Sequence, residues 1–360
     1  MLFPKKTIGL DIGSHSIKFV VLKKSGKSMS LVDLGHVPLK NRSIVDSSIE
    51  DPEAVIEAIE NLFSVAKLKK GEVVASLSGP SLVIKKISLP KMPPEELEEV
   101  IQSEAEQHIP FDINDVNIDF QPIGDRVVQG DGDDEEEIIT TDVLLVAVRQ
   151  ELVEERRQVI LDAGFIPIIF DLDVFALENL LEHNLGGFGE QVVAIVNMGA
   201  SFTNVNIIAD GVTEVTRAIP GAGNKINYDI QKEFNVAWEK AEELKKGISL
   251  GNISEKKVVE VIINSLEGVC YDINRMFRDF IDNSGRNIDK VYFSGGCANI
   301  VGIEDLIRNN LGISTEIIDP FAKINVDNKK FDPDYIRQVA PIFAVAAGLA
   351  LRDYDDKGLS

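Results

Sequence analysis

Residues 8–13 of the chain read IGLDIG, and residues 194–199 read AIVNMG. Each stretch is an apolar strand pattern that ends in a polar residue, a hydrophobic residue and a glycine, and each leads into a second apolar run. The polar residues, Asp11 and Asn197, are separated by about half of the 360 residues. Such an internal duplication predicts two similar lobes that face each other across a cleft, where ligands usually bind.

The elements predicted around the two repeats divide the chain into five parts. The first ninety residues alternate apolar runs with an amphipathic helix that opens at Pro52, and Pro90, Pro93 and Pro94 mark the start of a separate α+β module. We therefore expect an α/β chain with a first lobe (1–90), an inserted subdomain (91–171), a connecting helix (172–190), a second lobe (191–337), and a closing helix with a polar tail (338–360).

Composition and charge restrict the partners of this chain. Hydrophobic residues make up 44% and charged residues 27% of it, which is typical of a folded globular protein. The formal net charge is −22, and the acidic cluster at 131–137 carries only a minor part of it. An acidic surface without a basic patch repels phosphate backbones and anionic lipid headgroups. We therefore expect no nucleic-acid binding and no direct membrane binding.

Cysteine usage and apolar patterning favour a cytoplasmic protein. Cys270 and Cys297 have no cysteine or histidine at metal-binding spacing, so neither a disulfide framework nor a zinc site is indicated. The first apolar stretch is interrupted by Asp11 and lacks a cleavage site, and no window approaches the roughly 20 uncharged apolar residues of a spanning helix. We expect membrane association only through a partner.

The first repeated turn carries groups suited to polyphosphate. Asp11 ends a strand and Gly13 relieves the tight corner, while Ser14, Ser16 and Lys18 supply two hydroxyls and a cation. Asp11 is placed to hold a magnesium ion through water. An ordinary glycine hairpin with a surface aspartate would explain one such turn, but a second copy of the turn favours a phosphate site.

The second turn mirrors the first one. Asn197, Gly199 and Ala200 occupy its corner and are expected to face the first turn across the cleft. Gly221 and Gly223 come just before the next predicted helix. They either close on the phosphates of a ligand or form a simple turn, and both interpretations stay open.

A third glycine-rich segment completes a set of three loops. Gly295, Gly296 and Ala298 follow a predicted strand at 290–293 and are expected to open a helix, which suits contact with a nucleoside or phosphate. Three such loops in this order, followed by an apolar helix at 344–349, resemble the actin, heat-shock-protein and sugar-kinase superfamily. That resemblance implies a duplicated actin-like (ribonuclease-H-like) ATPase fold with two lobes around a nucleotide cleft.

A narrower resemblance covers nearly the whole chain. Five further short motifs, in this order and spacing, resemble the PilM family of actin-like type IV pilus assembly proteins: IPF at 109–111, DFQ at 119–121, AGF at 163–165, AEELK at 241–245 and GLALR at 348–352. The resemblance implies that the insert is the α+β subdomain called 1C and that the cofactors are ATP and Mg²⁺. It also implies that Glu242 reaches the ribose and Lys245 packs on the base. From the residues alone, these two form an exposed i,i+3 pair on a helix.

Departures from the family pattern limit the enzymatic expectation. Asn197 is neutral where active relatives usually carry an aspartate, and Phe202 occupies one expected hydroxyl position. A neutral amide cannot offset a metal charge or accept a proton. We expect an ATP-binding protein that is at most a slow ATPase. Asp171 or Asp173 is a candidate for orienting an attacking water, but N-capping of the helix that follows is the favoured interpretation.

The resemblance also implies partners. It predicts binding of the N-terminal cytoplasmic tail of the inner-membrane protein PilN in a groove between the first subdomain and the insert, which would place the protein at the inner membrane through PilN. Pilus motor ATPases, the platform protein and self-association are further expectations. The alternatives are an FtsA-like division protein, a nucleotide-driven filament former, and a sugar or acetate kinase.

The acidic stretch yields a first prediction. The carboxylates at 131–137 lack the alternate spacing and closing glutamate of a calcium loop, so we interpret residues 125–141 as a solvated loop. Removing residues 131–137 should then shift the melting temperature by no more than about 2 °C. A large loss in a thermal melt would mean that this loop is packed against the fold.

Overall fold

The structure, a computed structural model, describes residues 6–129, 137–251 and 253–352. The elements of the first half are, in chain order, β1 (Lys6–Ile12), β2 (Ser16–Ser25), β3 (Ser28–Pro38), β4 (Ile44–Val45), β5 (Ser48–Ile49), α1 (Pro52–Val65), β6 (Glu72–Leu77), β7 (Leu82–Pro90), α2 (Pro94–His108), β8 (Val116–Gln129), β9 (Glu137–Arg149), α3 (Gln150–Asp162), β10 (Ile166–Leu172) and α4 (Asp173–Leu185).

The second half begins with three strands and ends in the closing helix. Its elements are β11 (Val192–Met198), β12 (Phe202–Ala209), β13 (Val212–Pro220), α5 (Gly223–Phe234), α6 (Trp238–Lys245), α7 (Glu255–Ser284), β14 (Lys290–Ser294), α8 (Ile303–Leu311), β15 (Thr315–Ile317), α9 (Pro333–Val339) and α10 (Ala344–Leu351).

Local sequence signals account for individual elements, as α1 illustrates. The Asp51 carboxylate accepts a hydrogen bond from the amide of Ala54 at 3.1 Å, and Pro52 occupies the first turn. Both features favour a helix start, because they satisfy or remove donors that have no partner within the helix. The apolar residues of α1 recur at helical spacing and are buried against the first lobe.

The duplication inferred from the sequence is present in the sheets. The first lobe has the strand order β3-β2-β1-β6-β10 and the second has β13-β12-β11-β14-β15. In both, three antiparallel strands are extended by two strands parallel to the first. The registers also agree, because Asp11 pairs with Lys18 and Asn197 pairs with Asn204. The two halves are therefore copies of one folding unit.

The insert is a three-stranded sheet, β7-β9-β8, covered on one face by α2. Strand β7 was expected in the first lobe but belongs to this sheet. Helix α3 and strand β10 were expected in the insert, but β10 pairs within the sheet of the first lobe and α3 packs on that sheet. We therefore propose residues 82–149 as the extent of the insert. Local patterns identified these strands correctly, but pairing partners are set by long-range contacts.

The hairpin of the insert is longer than predicted. Strands β8 and β9 pair as far as Gln129 and Glu137, so parts of the expected loop at 125–141 are paired backbone. The acidic cluster at 131–136 lies outside the described residues.

A shared core joins the two lobes. Apolar residues of α4 and α10 pack between the sheets, in one cluster that includes Val20, Leu177, Ile195 and Ala346. The stretch Pro333–Leu351 is apolar and long enough to span a membrane, but 67% of its most apolar segment is buried inside the protein. It consists of α9, a short 3-10 turn and α10, and it forms part of this core.

Two glycines permit the close packing of this core. A Cβ atom on Gly9 of β1 would overlap the carbonyl oxygen of Ala346, and one on Gly348 of α10 would overlap the carbonyl oxygen of Ala176 in α4. Both obstacles are backbone atoms, which cannot move without displacing a strand or a helix.

Gly348→Ala should therefore lower the free energy of unfolding by at least about 2 kcal/mol, because the added methyl group forces α10 away from α4. The control is Gly268→Ala in the exposed face of α7, where among the described residues no atom outside the backbone of α7 lies within 4 Å of the new Cβ. This second change should stabilise the protein by roughly 0.5–1 kcal/mol through helix propensity. Denaturant titrations measure both, and equal effects would refute the proposed packing constraint.

Candidate functional site

The structure brings the two repeated turns into direct contact. The Ser201 hydroxyl donates to the Ser14 hydroxyl at 2.9 Å. Each turn is closed in the same way, by Gly13 N to Ser16 O at 3.2 Å and by Gly199 N to Phe202 O at 3.0 Å. The turns are thus equivalent in backbone and directly opposed.

In the first turn, the acidic and basic groups are paired with each other. The Lys18 ammonium donates to Asp11 Oδ2 at 2.9 Å and to the Ser16 carbonyl at 3.2 Å. The side chains of Lys18 and Asp11 are 13% and 15% exposed, so this ion pair is largely shielded from solvent. Ser16 is buried rather than turned outward, which leaves Ser14 as the hydroxyl of this turn at the opening.

The second turn and the third loop form a compact cradle. A Cβ on Gly295 would lie 2.6 Å from Asn197 Oδ1, and the φ of Gly295 is +93°, so this position requires glycine. The carbonyl of Gly199 accepts from the amide of Gly223 at 3.1 Å and lies 3.4 Å from the Cys297 thiol. The Gly199 carbonyl therefore lies within hydrogen-bonding distance of a backbone amide and a thiol from two other chain segments.

The third loop differs from the expectation in one respect. Gly296 and Ala298 lie in a short 3-10 turn, Gly296–Asn299, and the next α-helix begins only at Ile303. The predicted α-helix N-terminus is therefore absent directly after β14. Gly221 has a φ of +96° and its carbonyl accepts from the Thr203 hydroxyl, which fits the simple-turn interpretation.

Glu242 is the centre of a charged network beside this cradle. It pairs with Lys245 at 2.6 Å and Lys246 at 3.1 Å, and accepts from the Asn227 amide at 2.7 Å. Burial raises its pKa, but the charge and hydrogen bond of Lys245 and the hydrogen bond of Asn227 together outweigh burial and hold the pKa of Glu242 at about 2. Lys245 also donates to the Gly223 carbonyl at 3.3 Å. The i,i+3 pair expected from the sequence is present, yet it is partly buried and linked to the glycine cradle.

His15 extends this network across the cleft. Its Nε2 lies 3.9 Å from Glu242 Oε1, which joins the first turn to α6 of the second lobe. Burial lowers the pKa of His15, so the contact at neutral pH involves the uncharged imidazole. Sequence patterns gave no signal for this contact.

The two aspartates at the start of α4 do not cap it. Leu172 holds the cap position, and no side chain caps this helix. Asp173 is buried and accepts from the Asn204 amide at 2.6 Å, while Asp171 pairs with Arg352 at 3.6 Å. Burial raises the pKa of Asp173 to about 7, against the lowering effect of the Asn204 hydrogen bond. The favoured capping interpretation was wrong, and Asp173 is instead a buried carboxyl whose charge couples to that of Asp11.

The joint between the first lobe and the insert forms a second candidate site. Its floor is buried and consists of Leu77, Val148, Leu152, Leu172 and Val174. Six partly exposed hydrophobic side chains border this floor: Leu82, Ile84 and Val146 on the insert, and Val153, Phe170 and Phe175 on α3, β10 and α4. We call this surface the apolar groove. The family resemblance implied a groove between these units but none of its residues, which come from six separate elements.

Comparisons with known proteins agree on one family. The family described as type IV pilus assembly protein PilM matches residues 9–354. A solved PilM–PilN type IV pilus biogenesis complex is similar over 96% of this chain and 98% of that chain, with 28% identity and a TM-score of 0.83. The ethanolamine utilization protein EutJ from Carboxydothermus hydrogenoformans shares the fold over 97% of this chain and 90% of that chain, with 16% identity and a TM-score of 0.59. The predicted two-lobed actin-like ATPase fold is thus confirmed, and the chain belongs to the PilM family of type IV pilus assembly proteins.

Proposed function

We propose that this protein is a nucleotide-binding scaffold of type IV pilus assembly that holds the N-terminal cytoplasmic tail of PilN. The observation that carries the proposal is the family match over residues 9–354, and the similarity to a PilM–PilN complex supports the choice of partner. The protein would lie in the cytoplasm at the inner membrane through PilN. Contacts with pilus motor ATPases and the platform protein, and self-association, are part of the same proposal.

The residues of the cleft suit ATP with its magnesium ion better than a metal ion held by protein side chains alone. Within the described ranges, no three His, Cys, Asp or Glu side chains converge to hold a metal ion. Magnesium prefers phosphate oxygens and water with one or two carboxylates, and Asp11 is available to accept from a metal-bound water. Gly223 and Gly295 allow the segments of the cradle to pack closely beside Glu242 and Lys245, because a Cβ at either glycine would meet neighbouring protein atoms. Glu242 and Lys245 would contact the ribose and the base of the nucleotide.

Hydrolysis should be slow. Magnesium, when bound, neutralises phosphate charge, but Asn197 adds no second carboxylate beside it. Asp173 has a pKa of about 7 and would accept a proton from water, yet Asn204 donates to one of its oxygens and Asp173 is buried. The arrangement therefore favours nucleotide binding over rapid turnover.

The apolar groove suits a short peptide with hydrophobic side chains. Its six bordering residues are partly exposed, and burying such surface contributes about 25 cal/mol per Å². Tails that precede a membrane span on the cytoplasmic side are often basic. The net charge of −22 would speed their capture, since opposite charges raise association rates.

The nucleotide proposal predicts that Asp11→Ala lowers the affinity for Mg-ATP about tenfold or more, with the fold intact, because the water-mediated metal contact is lost. Isothermal calorimetry with Mg-ATP measures this. In EDTA the two proteins should bind ATP equally. Unchanged affinity in magnesium would refute the metal role, and a steady-state turnover near 1 per second that depends on Asp11 would contradict slow hydrolysis.

The partner proposal predicts that Ile84→Glu weakens binding of a synthetic PilN tail peptide about tenfold or more, because it places a charge in the apolar groove. The matched control is Ile139→Glu, on an exposed position of the same sheet at the far end of the hairpin. Calorimetry with the full chain measures both. Equal effects of the two changes would place the peptide elsewhere, and no binding to the unmodified protein would overturn the partner.

A further inference from the structure

The insert contacts both lobes, not only the one from which it emerges. Its strand β7 packs beside β13, the edge strand of the second lobe. At this contact the Lys86 ammonium donates to Glu214 Oε1 at 2.6 Å. The two side chains are 24% and 26% exposed, so the pair is partly shielded from water. We call this pair the clasp.

The insert end of the clasp is held in place by further polar contacts. Lys86 lies 3.6 Å from Asp142, which is 9% exposed. Asp142 in turn accepts from the Ser88 hydroxyl at 2.6 Å and pairs with Arg126 at 3.1 Å. A lysine fixed by a second carboxylate loses less side-chain entropy when it pairs with Glu214, which makes this pair more rigid than a single surface ion pair.

One face of the insert sheet serves the clasp and the apolar groove together. Side chains alternate between the two faces of a strand, so Ile84 and Lys86, two residues apart on β7, point to the same side. Ile84 borders the groove against the first lobe, and Lys86 binds Glu214 of the second lobe. A movement of the second lobe that is transmitted through Lys86 therefore acts on β7 next to the groove.

We propose that the Lys86–Glu214 clasp couples the nucleotide cleft to the apolar groove. When a nucleotide changes the angle between the lobes, the clasp draws the insert with the second lobe and alters the width of the groove on the first lobe. This inference rests on the proposed nucleotide site, but it requires no particular peptide. A ligand shifts such an equilibrium only if its affinity differs between the two arrangements, and the coupling is reciprocal.

The test measures insert position in the full-length protein. Spin labels at Glu60→Cys on α1 and Glu99→Cys on α2 report the distance between the first lobe and the insert, since both positions are exposed while Cys270 and Cys297 are buried. On addition of Mg-AMPPNP the distance should change by about 2 Å or more, and Lys86→Met or Glu214→Ala should abolish most of this change.

The matched control is Lys91→Met, which breaks another 2.6 Å pair, Lys91–Asp125, that lies wholly within the insert. It should leave the nucleotide-dependent distance change intact. Two outcomes would overturn the clasp but leave the proposed function standing. In the first, the nucleotide-dependent distance change persists in Lys86→Met. In the second, the distance in the unmodified protein does not change although calorimetry shows bound nucleotide. Absence of nucleotide binding overturns both.

A second readout uses the synthetic PilN tail peptide. Mg-AMPPNP should shift its affinity for the unmodified protein about fivefold or more, and this shift should fall below about twofold in Lys86→Met. Thermal melts of the variants check folding. If the peptide does not bind but the labels move as described, the clasp is supported and only the PilN partner fails.

Discussion

The close approach of α10 to β1 and α4 is the constraint on which the rest of the structure depends. Gly9 and Gly348 remove the side chains that would otherwise overlap the carbonyls of Ala346 and Ala176. Because α4 and α10 pack between both sheets, this contact fixes the distance between the lobes and hence the width of the cleft.

The two lobes share a backbone plan but differ in the chemistry of their turns. At equivalent register positions the first lobe pairs Asp11 with Lys18, and the second pairs Asn197 with Asn204. The first pair is an ion pair, whereas Asn204 uses its amide to hold Asp173 at the start of α4. The two lobes thus share one backbone frame, and the different side chains at the same register positions make different contacts.

The insert gives this actin-like fold a subdomain that contacts both lobes. One face of its sheet packs on α2, and the other meets the first lobe through apolar contacts and the second lobe through an ion pair. Apolar contacts tolerate sliding, because they have no directional preference. The ion pair at 2.6 Å, in contrast, holds β7 of the insert to β13 of the second lobe at one position. This difference favours an insert that follows one lobe and slides on the other.

The sequence by itself determined the duplication, the helix that opens at Pro52 and the three glycine-rich loops. These features depend on local periodicity and on turn residues, which one stretch of chain specifies. Only the tertiary structure decided that β7 joins the insert and β10 the first lobe, that Asp173 binds Asn204 rather than capping α4, and that Glu242 faces His15. The apolar groove and the clasp were likewise decided only by the tertiary structure. Their residues are far apart in sequence, and no local pattern encodes a contact whose two halves are brought together by the packing of separate sheets.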